Sequence, residues 1–258
     1  MKTAHNDGVS RQYETAGRGP TVAFCGDIGL GPWQFGWQYA AVAGPFCAVV
    51  PEPRGTGGSA APAGEWSVEA FAADLEAILH HHGSDRAHLV GYGFGGMVAL
   101  EYARTYSRAR SLTLVGAAAS GDGYDAAAVW APPGDSTAIT ASLESTFGAD
   151  FREDHAEELE RITDWRADED ASQAEFEAQQ AALGGFDVSD RLYDITVPSL
   201  VIQGSHDQVT PRDSGSRLAE GLPRGSLVTP DTGHFAGIEA SAAVNDELRG
   251  WLDKHRTD

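Results

Sequence analysis

Ala87-His88-Leu89-Val90-Gly91-Tyr92-Gly93-Phe94-Gly95-Gly96 is the stretch that decides the fold. Ala87–Gly91 is a short, mostly apolar run of the length of a buried strand. It passes into alternating glycines and then into a helical stretch, Met97–Tyr106. A strand that turns this tightly into a helix needs residues without a Cβ at the flanking positions.

The same rhythm extends outward. Thr21–Cys25 and Phe46–Pro51 read as buried strands upstream, with Val9–Glu14 as an edge strand and Gln34–Ala43 as a helix. Ser67–His82 is a helix capped by Ser67 and closed by Gly83. Glu52–Gly64 is rich in Pro, Gly and Ser and predicts a loop. Ser111–Val115 is a fourth apolar strand. Residues 117–190 contain no β run but do contain helical stretches, among them Ala149–Ile162 and Ser172–Leu183. Strand and helix patterns return at Ser199–Gln203, Asp213–Glu220, Ser226–Thr229 and Ala242–Lys254. Apolar strands alternating with helices predict a mostly parallel sheet covered on both faces. The expectation is one α/β domain over 1–258, with 117–190 as a helical lid inserted in it and no linker or repeat. Chemistry is expected in the crevice at the carboxyl edge of the strands.

Four motifs bear on that chemistry. Gly91-Tyr92-Gly93-Phe94-Gly95 has the frame G-x-S-x-G, and Arg54-Gly55-Thr56-Gly57-Gly58-Ser59 has the form R-G-x-G-x-S, with Glu52 where Asp is usual. Gly204-Ser205-His206-Asp207-Gln208-Val209-Thr210-Pro211 has the form G-x-x-D-x-x-x-P, and Gly233-His234-Phe235 follows. In these motifs and their order, the chain resembles the α/β-hydrolase fold superfamily along nearly its whole length. The resemblance implies Asp207 and His234 as acid and base, and Gly93 at the nucleophile position. It implies Asp27 and Phe94 as the backbone donors of the oxyanion hole. Glycine has no side chain with which to attack a carbonyl, so the ordinary acyl-serine route is missing. Cys25-Gly26 also replaces the usual His-Gly.

The resemblance therefore implies a relative of small-molecule ester hydrolases without the serine. Its His–Asp pair would serve as a general base, or activate water, on a small apolar substrate. The alternative is a catalytically inactive pseudo-hydrolase that binds a ligand or a partner. Cys25, Tyr92, Trp130 and Phe235 are the candidate pocket residues; Cys25 is read as a small buried apolar residue rather than as a relocated nucleophile. An Asp27 carboxylate beside the hole would oppose a developing negative charge or point to solvent. No cofactor and no metal are implied. His80-His81-His82 are about 100° apart around a helix and do not converge on one ion. The acidic runs at 153–160 and 164–170 lack a calcium-loop pattern.

Composition narrows the partners. Among 258 residues, 38 acidic against 18 basic ones give a net charge of −20, which repels phosphate backbones and anionic membrane surfaces. Neither nucleic acid nor membrane is expected as a partner. Lys2 and Lys254 are the only lysines. The excess of carboxylates suits a halophile's cytoplasm, where salt screens their self-repulsion. Two cysteines, Cys25 and Cys47, make no disulfide framework, and neither a signal peptide nor a membrane span is visible. The protein is expected to be soluble and cytoplasmic.

Overall fold

The computed structural model describes residues 1–256 apart from 63 and 65. Eight strands form one sheet: β1 (Lys2–Asn6), β2 (Val9–Gly17), β3 (Thr21–Cys25), β4 (Cys47–Pro51), β5 (Ala87–Tyr92), β6 (Ala109–Val115), β7 (Ser199–Ile202) and β8 (Gly225–Val228). Their order is β1-β2-β4-β3-β5-β6-β7-β8, antiparallel at β1/β2 and β2/β4 and parallel elsewhere. The expected mostly parallel sheet is found, with one correction. Val9–Glu14 is not at the edge, because β1 pairs outside it through a turn at Asp7 (φ 48°) and Gly8 (φ 78°). Asp-Gly is a strong hairpin dipeptide for this reason, since both central residues of the turn take positive φ.

Helices cover both faces. Helices α2 (Val68–His82) and α3 (Phe94–Thr105) pack on one, burying Phe71, Leu75, Leu79, Met97 and Leu100. Helix α1 (Gly36–Val42) and the C-terminal helix (Ser241–Lys254) pack on the other, where Val42, Val244, Leu248 and Leu252 meet Val22, Phe24 and Val90. A 3-10 turn over Pro32–Phe35 precedes α1, so the helix expected over Gln34–Ala43 starts later. Ser67 caps α2 by accepting the Ala70 N–H, and Gly83 ends it at φ 83°. The next helices in sequence order all lie between β6 and β7: α4 (Ala126–Val129), α5 (Ser136–Thr146), α6 (Ala149–Asp154), α7 (Ala156–Glu169) and α8 (Gln173–Gly184). An isolated bridge between Ser120 and Asp187 closes the neck of this insertion. The single helix expected over Ala149–Ile162 is two, broken at His155, whose ring stacks on Phe151 with centroids 4.3 Å apart. No helix among the described residues is long and apolar enough to cross a membrane.

Candidate active site

The turn from β5 into α3 sets the centre. Gly93 has φ 49° and ψ −116°, a conformation that glycine takes freely and that side-chain-bearing residues adopt only under strain. A Cβ at Gly95 would lie 2.0 Å from the Cys25 carbonyl oxygen, so the elbow is pressed directly against the end of β3. A Cβ at Gly93 would lie 2.1 Å from Asp27 Oδ1 and 2.3 Å from the Tyr124 hydroxyl oxygen. The space a side chain at 93 would take is already filled.

Asp27 fills it. Its side chain points inward rather than to solvent and is fully buried. Oδ1 accepts the Phe94 N–H (2.9 Å), the Ile28 N–H (2.7 Å) and the Tyr124 O–H (2.6 Å). Oδ2 lies 2.9 Å from His234 Nε2. The Asp27 N–H donates to Gln34 Oε1 at 2.9 Å. Both backbone donors expected to form an open oxyanion hole are therefore engaged, the Phe94 N–H by the Asp27 carboxylate and the Asp27 N–H by Gln34.

His234 bridges two carboxylates. Its Nδ1 is 2.9 Å from Asp207 Oδ2 and its Nε2 is 2.9 Å from Asp27 Oδ2. An imidazole facing a carboxylate at each nitrogen carries a proton on each. Burial alone would depress the His234 pKa, but Asp207 and Asp27 outweigh it and raise it to about 10. Burial likewise opposes the Asp207 charge. The neighbouring imidazolium and hydrogen bonds from Thr210 and Val209 outweigh that, and its carboxyl sits below the usual range. Gln203 Nε2 adds a further donor to Asp207 Oδ2 at 2.7 Å. Tyr124 stands 3.3 Å from His234 Nε2, and burial together with Asp27 pushes its phenol well up. The histidine loop is held from the insertion: Thr146 O accepts the His234 N–H, and Glu239 accepts N–H groups of both Gly148 and Gly233.

Residues between β6 and β7 pack beside the centre. Trp130 and Phe176 stack with ring centroids 4.3 Å apart, against Gly29 of the loop after β3. At the end of α7, Asp170 accepts the Gly31 N–H and the Trp33 indole N–H and pairs with Arg166, both side chains fully buried. Phe235 packs between Trp33 and Phe147. A cavity of about 50 Å³ lies beside the centre, lined in part by Cys25, Asp27, Arg54, Phe94 and Gln179.

Of the expected pocket residues, Cys25 lines that cavity with a thiol pushed up to about 12 by burial. Trp130 and Phe235 belong to the apolar cover. Tyr92 is not brought to the site: it lies in the core of the opposite sheet face, its ring 5.2 Å from Phe35. Strand residues alternate faces, so the side chain just before the elbow turns away from it. His206 faces outward and pairs with Asp231. Tyr124, Gln34, Gln179 and Gln203 are site residues that no motif announced.

The matching family model is described as alpha/beta hydrolase fold and spans residues 23–241. The chain is 30% identical over 252 residues to "Putative carbamate hydrolase RutD" of Variovorax paradoxus, covering 93% of this chain and 95% of that protein. It is 25% identical over 258 residues to 3-oxoadipate enol-lactonase 2 of Acinetobacter baylyi, covering 95% and 94%. The crystal structure of the enol-lactonase from Burkholderia xenovorans superposes with a TM-score of 0.85 at 25% identity, covering 98% of this chain and all of that one.

Proposed function

Because this chain belongs to the α/β-hydrolase fold family, we propose that it is a hydrolase of small, neutral carbonyl compounds that uses no serine: Asp27 is its base and His234 its acid. The observation that carries the reading is the Asp27 carboxylate, set in the niche beside Gly93 and hydrogen-bonded to His234. The relatives' names, a carbamate hydrolase and an enol-lactonase, support carbamates and lactones as the substrate class, to which we add simple esters for the same acyl chemistry.

The steps balance without a covalent intermediate. Asp27 takes a proton from water as the water oxygen attacks the carbonyl carbon. The carbonyl oxygen, becoming an oxyanion, takes a hydrogen bond from the Tyr124 O–H. The tetrahedral intermediate collapses as His234 Nε2–H protonates the departing oxygen or nitrogen. The proton on Asp27 then passes to His234 across their 2.9 Å contact, restoring the pair. Asp207 holds the ring through its Nδ1–H throughout, both as imidazolium and as the neutral imidazole left after the proton is given up. The role of His234 differs from the general base that the sequence suggested, because two carboxylates hold it protonated. Substrate reaches the centre when the Trp130–Phe176 cover parts.

The inactive reading is favoured by one observation: Asp27 Oδ1 already has three donors in the closed site. Turnover of short p-nitrophenyl esters, lactones and carbamates in molar KCl separates the two. The salt suits the halophilic character we propose from the net charge of −20. The expected result is slow turnover without a burst, abolished in Asp27→Asn and falling as pH rises through about 10. No turnover by the folded protein across the panel favours the binding role, and a trapped acyl-enzyme overturns the mechanism.

A further inference from the structure

The cavity beside Asp27 is the feature that the reaction scheme leaves unused. Gly26, Asp27, Phe94 and Gly95 line it, so it opens onto the backbone of the reacting centre. Phe24, Phe71, Leu75, Ile78 and Val98 make much of the remaining wall apolar. Its charged lining is already paired: Asp74 sits between Arg11 and Arg54, and Glu52 accepts the Gly58 N–H.

Gln179 is uncharged and only half satisfied. It reaches in from α8 and is about 1% exposed. Its Oε1 accepts the Gly29 N–H at 2.7 Å, which fixes the orientation of the amide. Gln179 is among the lining residues, and its Nε2 has no hydrogen-bond partner among the described residues. A buried N–H donor without an acceptor is costly, and a ligand that supplies one recovers that cost.

We infer that this cavity is a binding pocket for a short, neutral acyl chain that carries a hydrogen-bond acceptor, and that Gln179 Nε2 reads the acceptor. The volume, about 50 Å³, is several times the roughly 10–15 Å³ that one water needs, which sets a chain of about three to five heavy atoms. The chain is neutral because both arginines are committed to Asp74 and a carboxylate there would face Asp27 with no cation to meet it. The inference deepens the hydrolase reading and rests on it for the word acyl; the pocket itself is tested without turnover.

The test uses 2-butanone, a ketone that cannot be hydrolysed, and 2-methyl-1-butene, in which a methylene replaces the carbonyl oxygen. Both are titrated into the ¹⁵N-labelled full chain and followed by NMR. The ketone is expected to shift the Gln179 side-chain amide and the Phe94 backbone amide. It is expected to bind the parent about five- to tenfold more tightly than it binds Gln179→Leu or Gln179→Glu, the worth of one neutral hydrogen bond. Gln179→Glu keeps an acceptor for the Gly29 N–H, so a loss in both variants assigns the effect to the Nε2 donor rather than to the loop. The alkene is expected to bind parent and variants alike. The inference is overturned if the ketone does not bind, if it binds parent and variants equally, or if the Gln179 amide stays unmoved. Ketone binding by a protein that hydrolyses nothing sustains the pocket and sinks the hydrolase reading; turnover without ketone binding does the reverse.

Discussion

Gly93→Ser alone should not create a serine hydrolase, whereas Gly93→Ser combined with Asp27→Ala should. A Cβ at 93 would stand 2.1 Å from Asp27 Oδ1, and a side chain there also inherits φ 49°. The backbone strain costs about 1–3 kcal/mol. Forcing a buried, fully hydrogen-bonded carboxylate aside adds about 1–3 kcal/mol of overpacking. Together they take a large share of the roughly 5–15 kcal/mol that holds a domain folded. In the double variant the clash with Asp27 disappears, while the backbone strain and the 2.3 Å approach to the Tyr124 hydroxyl remain for the tyrosine to relieve. Three chemical changes then act together. The Phe94 N–H is free for an oxyanion, a hydroxyl faces His234 Nε2, and His234, with one carboxylate instead of two, comes down from about 10 toward the range of a general base. A complete nucleophile–base unit is worth up to about 10⁶-fold in kcat, so a gain of about 10²-fold over either single variant is a low threshold. The assay is hydrolysis of p-nitrophenyl acetate with burst kinetics, beside urea denaturation of all four proteins. An acyl-enzyme burst is expected in the double variant only. If Gly93→Ser alone is as active and as stable as the double, Asp27 does not occupy the nucleophile niche and the reasoning fails. The same holds if the double variant folds but neither bursts nor turns over.

Three further outcomes follow from the same geometry. The folded pKa of His234 lies above its unfolded value of about 6.5. Its ion pairs therefore stabilise fully below that value and are lost as pH rises through about 10, so Tm should decline over this window, and the decline should vanish in His234→Gln. Asp170→Asn leaves Arg166 buried without its carboxylate. The cost expected is about 3–5 kcal/mol, read as a fall of about 1 M or more in the urea midpoint. The net charge of −20 predicts a denaturation midpoint that climbs steadily from low salt into molar KCl; indifference to KCl removes the halophile reading.

The sheet was legible in the sequence because its parallel strands β3 to β7 are largely apolar runs that end in glycine-containing turns. Thr21–Cys25 has the bounds the sequence suggested, and the helix from Ser67 to Gly83 has both of its caps. β1 was missed because Lys-Thr-Ala-His-Asn is polar and half-exposed, so it lacks the apolar signal by which buried strands are read. At the site, motifs placed Gly93, Phe94, Asp207 and His234, and the structure brings them to one point at the strand ends. Tyr124 and Gln179 come from the insertion, where helices are set by general amphipathicity and carry no catalytic pattern. Their positions follow from how that layer packs on the loop after β3, which no local spacing encodes.

The sequence displayed both halves of the central feature, a glycine at 93 and an acid at 27, without linking them. The clash distances link them: a residue with a Cβ at 93 and a carboxylate folded inward from 27 exclude each other. Packing alone does not ask for an acid at 27. A charge there must be taken out of water, which is costly unless every lone pair finds a donor. It finds Phe94, Ile28, Tyr124 and His234, and the last of these is an imidazolium held by a second carboxylate. An apolar side chain at 27 would fill the niche without that desolvation but would leave the Phe94 N–H and the Tyr124 hydroxyl without their acceptor. Perturbed ionisable groups gathered at the carboxyl edge of a parallel sheet are what acid–base chemistry requires. Gly93 and Asp27 are therefore coupled, the space above the glycine being filled by a carboxylate delivered from the loop after β3, and the effect of changing one depends on what stands at the other.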